Sequence, residues 1–148
     1  MNWYKISNKV FSVAHVGHSG ENGCPALTLV DWIDTHIPEM KDIQLKHDYI
    51  DLNKGRDFLK EGNTYDFVLL EYVYLGITRN QKEGYFAQSN LQTPENWRKR
   101  LQNTNAKVIF AFGSWTEVSG SYIGNIPGYE KRDISSGSIY VKNGFKVL

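Results

Sequence analysis

Val10-Phe11-Ser12-Val13-Ala14-His15-Val16 runs directly into Gly17-His18-Ser19-Gly20-Glu21-Asn22-Gly23. In the first half, starting from Lys9, apolar side chains fall on both faces of a pleat. Two-sided burial of that kind marks a central strand of a parallel sheet. In the second half, Gly17, Gly20 and Gly23 are each separated by two residues. A turn built on such glycines lets the backbone come close to a ligand. The next segment, Cys24 to Ile37, carries Leu27, Val30, Ile33 and Ile37 at helical spacing. Pro25 fits its first turn and Pro38 stops it. The passage therefore predicts strand, polar turn and helix in succession, with a ligand site at the turn.

Outward from there the chain alternates. Ile43 to Leu52 reads either as one strand or as two short ones, and Gly55 to Gly62 as a helical turn. Phe67-Val68-Leu69-Leu70 is the most apolar strand, started by Asp66 and interrupted by Glu71. Gly76 to Gln92 is polar and aperiodic, a length of loop that compact domains reserve for covering or contacting something. Thr93-Pro94-Glu95 reads as a helix start, with an N-cap threonine, proline at the first position and an acid at the positive end. Trp97 and Leu101 share one face of that helix, and Ala106 to Phe112 is a further buried strand. Ser119 to Gly128 reads as an irregular glycine- and serine-rich stretch. Tyr129 to Ile134 and Ser138 to Val141 read as a hairpin joined through Ser135-Ser136-Gly137, longer than a tight two-residue turn. Lys146 to Leu148 would add a short edge.

This alternation predicts an α/β fold: a three-layer Rossmann-like sandwich with a mostly parallel central sheet and a C-terminal antiparallel hairpin. At 148 residues and 41% hydrophobic content, residues 1–148 form a single domain with one core. A net charge of +1 gives no global pull toward nucleic acid or an anionic membrane. The cations of Trp97-Arg98-Lys99-Arg100 accordingly read as a solvated helix face. The N-terminus lacks the basic start and unbroken apolar core of a signal peptide. No apolar run approaches the roughly 20 residues that a membrane helix needs. Cys24 is the only cysteine, so no internal disulfide forms, and a cytoplasmic setting is the simplest expectation.

In parallel sheets ligands bind beyond the carboxyl ends of the strands. The segments at those ends, His15–Gly23, Asp51–Gly55, Glu71–Gly76 and Gly113–Glu117, are also the polar, glycine-containing ones. Gly17–Gly20, Asp51, Glu71 and Ser114 are thus expected around one concavity that takes a small molecule. His15 and His18 carry the titration range for acid–base work near neutral pH. Glu71, a charge in an apolar strand, must reach the strand end or find a partner. Cys24 reads as a small buried residue rather than a nucleophile. The four histidines, His15, His18, His36 and His47, have no spacing that makes a metal site.

The layout from Val10 to Lys142 resembles a small class I S-adenosylmethionine-dependent methyltransferase. The resemblance rests on the glycine turn after the first strand, the Tyr65-Asp66-Phe67-Val68-Leu69-Leu70 strand, the Lys107–Phe112 strand and the closing hairpin. His15 stands where that family usually carries an acid, and Ser19 where it has the middle glycine. The resemblance implies S-adenosylmethionine as cofactor, with Gly17, Ser19, Gly20 and Gly23 along its tail and Asp51 on its ribose. It places His18, Glu71 and Tyr74 toward a methyl acceptor. Two other readings stay open: a hydrolase using His15 or His18 with Glu71, and a non-catalytic interaction module.

Overall fold

A computed structural model describes residues 10–16, 32–33, 35–37, 44–50, 64–71, 93–113, 119–134 and 137–147. The elements are β1 (Val10–Val16), β2 (Gln44–Ile50), β3 (Phe67–Glu71), α1 (Pro94–Asn103), β4 (Val108–Phe112), α2 (Gly120–Ile123), β5 (Tyr129–Ile134) and β6 (Gly137–Lys142). The six strands form one mixed sheet in the order β2-β1-β3-β4-β6-β5. The pairs β2–β1, β1–β3 and β3–β4 are parallel, whereas β4–β6 and β6–β5 are antiparallel. β1 and β3 lie inside the sheet, in keeping with their apolar residues on both faces.

The expected three-layer Rossmann-like sandwich is not what the described residues form. Strand accounts for 48% of them and helix for 24%, a mostly-β unit on a mixed sheet. The two helices described from end to end are short, ten and four residues, and both lie on one face. There Trp97, Leu101 and Ile123 pack on Ala14, Val16, Val68, Leu70 and Tyr140. The opposite face, with Phe11, Val13, Phe67, Leu69 and Phe110, is covered by Ile33 and Ile37, where residues 32–33 and 35–36 of the expected Cys24–Ile37 helix are helical, and by Phe145 and Val147. Apolar residues on both faces of a strand require cover on both sides, but they do not require that cover to be layers of long helices.

Local chemistry explains most element boundaries. Thr93 caps α1, its hydroxyl accepting from the Asn96 N–H at 3.1 Å, with Pro94 at the first helical position. Arg98 does not belong to a solvated face: its Nη1 donates to the Ile123 carbonyl at 2.7 Å. It thus binds the carboxyl end of α2, where a cation is favoured. The stretch expected to be irregular contains α2 because Ser119 caps it, accepting from the Tyr122 N–H at 3.3 Å. Asp66 ties the start of β3 to β1 by accepting from the Ser12 N–H at 2.9 Å.

β2 is one strand rather than two. The hairpin connection is also shorter than expected. Ile134 pairs with Gly137, leaving two residues between them. Gly137 belongs to β6, and glycine is needed there because a Cβ would stand 2.1 Å from the Ala111 carbonyl oxygen. The glycine serves the close β4–β6 approach, not the turn. Residues 145–147 add no strand, and Phe145 and Val147 serve as cover instead. Among the described residues no helix is long and apolar enough to cross a membrane.

Candidate functional site

On the face covered by Ile33 and Ile37, the strand columns change character toward their carboxyl ends. β1 reads Phe11, Val13, His15; β2 reads Leu45, His47, Tyr49; β3 reads Phe67, Leu69, Glu71. Residues two apart share a face of the pleat. The parallel register sets Val13 beside His47 and Phe67, and His15 beside Tyr49 and Leu69. The apolar core on this face therefore ends in a polar and aromatic cluster of His15, His47, Tyr49 and Glu71.

His15 and Glu71 form its centre. His15 Nε2 lies 2.6 Å from Glu71 Oε2. His15 is fully buried and Glu71 is 7% exposed. A buried carboxylate is costly unless paired and hydrogen-bonded, and His15 supplies that partner. With Glu71 ionised, Nε2 carries a proton and donates it, so Nδ1 is the nitrogen that gains or loses the second proton.

The His47 ring lies 5.4 Å from the His15 ring, and Tyr49 lies 5.0 Å from His15. His47 and Tyr49 stack at 5.6 Å with 17° between their planes. Because β2 is a sheet edge, Tyr49 keeps 40% of its surface exposed. Burial, and after it the neighbouring His15, hold His47 below the usual imidazole range. Among the described residues no group of three or more His, Cys, Asp or Glu side chains is arranged to hold a metal ion.

Of the residues expected at a site, the structure describes Glu71 and His15 and brings them together. His18, Tyr74, Gly17, Ser19, Gly20, Gly23, Asp51, Cys24 and Ser114 lie outside the described residues. β1, β2, β3 and β4 run parallel and end at Val16, Ile50, Glu71 and Phe112. The chain therefore leaves all four strands from the same end of the sheet. Reading the sequence for chemistry weighed His47 only as a metal ligand and passed over Tyr49. The signal that finds them is the alternation Leu45, His47, Tyr49 against Lys46 and Asp48, which puts both rings on one face. Comparison of the chain with protein-family models, curated proteins and solved structures gives no match.

Proposed function

We propose that the protein is a hydrolase in which His15 is the general base and Glu71 orients it. The observation that carries this reading is the 2.6 Å contact between His15 Nε2 and Glu71 Oε2 at the carboxyl ends of adjacent parallel strands. A histidine held by a buried carboxylate has a set tautomer and a set ring orientation, the two things a general base needs. In hydrolysis of an ester, Nδ1 takes a proton from water as the water oxygen adds to the carbonyl carbon. The bond to the leaving oxygen then breaks, and that oxygen receives the proton. The products are an acid and an alcohol.

The test is turnover of p-nitrophenyl esters by the full chain and by His15→Gln and Glu71→Gln. Turnover by the unmodified protein, falling about 10²–10⁴-fold in His15→Gln, supports the reading. No turnover above background, or the same rate in His15→Gln, overturns it.

A second reading, binding of S-adenosylmethionine, draws on the common end from which the chain leaves β1 and β2. Gly17 follows Val16 there, and Asp51 follows Ile50. A thermal shift with the cofactor tests it. Ligand at 100 times its dissociation constant stabilises by roughly 2.7 kcal/mol, and no shift at millimolar cofactor removes it.

A further inference from the structure

Once the leaving oxygen has taken the first proton back from His15, the product acid ionises near neutral pH and gives its proton to His15, so one proton per turnover must leave the site. His15 is fully buried and has no surface of its own through which to release it. Glu71 holds one side of the ring, through Nε2. On the side of edge strand β2 stands His47, its ring 5.4 Å from that of His15. His47 is half-buried, and its Nδ1 is enclosed with no hydrogen-bond partner among the described residues. An enclosed ring nitrogen left in that state calls for a function or a mobile partner such as water or a proton. Tyr49 stacks on the same ring and reaches the surface.

We propose that His47 is a proton-relay residue that accepts the proton from His15 and releases it to water at the β2 edge. This rests on His15 acting as the base. The transfer balances: imidazolium His15 and neutral His47 become neutral His15 and imidazolium His47, which then gives the proton to water or buffer. Among the described residues, the titratable groups facing His47 are His15 from β1, Tyr49 on β2 itself and Glu71 of β3 beyond His15. Two neighbouring imidazolium ions repel, so a proton taken up by His15 favours a neutral His47, which is then able to accept it.

The test uses the full chain, p-nitrophenyl acetate at pH 7 and dilute buffer, with His47→Gln, His47→Phe and His15→Gln. His47→Phe keeps a ring against Tyr49 and covers the case in which His47→Gln fails to fold. Each His47 variant is expected to turn over at least about tenfold more slowly, less than the ~10²–10⁴-fold loss for the base itself. Added imidazole buffer is expected to restore the rate, which a purely structural role would not allow. In parallel, NMR titration of histidine-labelled protein reads the pair directly. His15→Gln is expected to raise the pH at which His47 titrates. An inactive unmodified protein overturns the base and the relay together. An active protein that needs His15, with His47 variants at full rate or not rescued by imidazole, overturns the relay alone. A His47 titration unmoved by His15→Gln also overturns it.

Discussion

Glu71→Ala tests the strand-end pair most severely through stability. The substitution removes one buried methylene, at about 0.8 kcal/mol, together with the carboxylate. It also leaves the His15 Nε2–H buried without its acceptor, at about 1–3 kcal/mol. The sum, about 2–4 kcal/mol, overlaps the range found for removing one partner from a buried ion pair. Glu71→Gln keeps the methylenes and an amide oxygen that accepts from Nε2. It loses only the charge assistance of the bond, about 1 kcal/mol. Replacing both residues by leucine is expected to recover most of the loss, because neither partner is then stranded. The assay is urea unfolding at pH 7, followed by circular dichroism, with the m-value checked for constancy. An alanine variant within about 0.5 kcal/mol of the unmodified protein, the size of an ordinary surface substitution, would refute the buried pair.

Gly137→Ala is expected to destabilise by about 1–3 kcal/mol, because the new Cβ meets the backbone oxygen of Ala111, at 2.1 Å, in the β4–β6 ladder; urea unfolding reads the loss. Burial pushes the Tyr129 hydroxyl up to about 12, while it donates to the Ala106 carbonyl at 2.5 Å. Above pH 10 the unfolded chain gives up this proton and the folded chain keeps it. Its contribution is therefore full below pH 10 and is lost as pH rises from 10 to 12. Tyr129→Phe is expected to flatten that alkaline loss in a pH series of melting temperatures, and an unchanged slope would contradict the assignment.

How much of this is legible in the residues depends on distance along the chain. The apolar runs of β1, β3 and β4 announce strands, and Thr93-Pro94 announces α1, because the cause of each lies within a few residues. The layering is not legible in the same way. Val13, Val68 and Ile109 demand cover on both faces of the sheet, but their pattern is the same under a long helix, a four-residue helix such as α2, or a chain end carrying Phe145 and Val147. His15 and Glu71 each stand out as an ionisable residue in an apolar strand. Their pairing depends on β1 lying beside β3 in a register that sets His15 against Leu69. That is a relation between residues 56 positions apart, and no local pattern encodes it. The β1–β2 register likewise gathers His47 and Tyr49 around His15. Gly137 shows the converse: a residue that looks like turn chemistry is required by contact with Ala111 in another strand.

The central claim, that His15 is a general base held by Glu71 and not one half of a sealed structural pair, is tested most directly by diethylpyrocarbonate. The native full chain is treated across pH 5–8, and carbethoxylation of His15 is mapped by mass spectrometry. The account predicts that His15 is modified in the folded protein, with a rate that follows the titration of its own imidazole and changes in Glu71→Gln. A His15 that stays unmodified in the native protein at every pH, and reacts only after unfolding in urea, would mark the pair as sealed and structural and would contradict the catalytic reading.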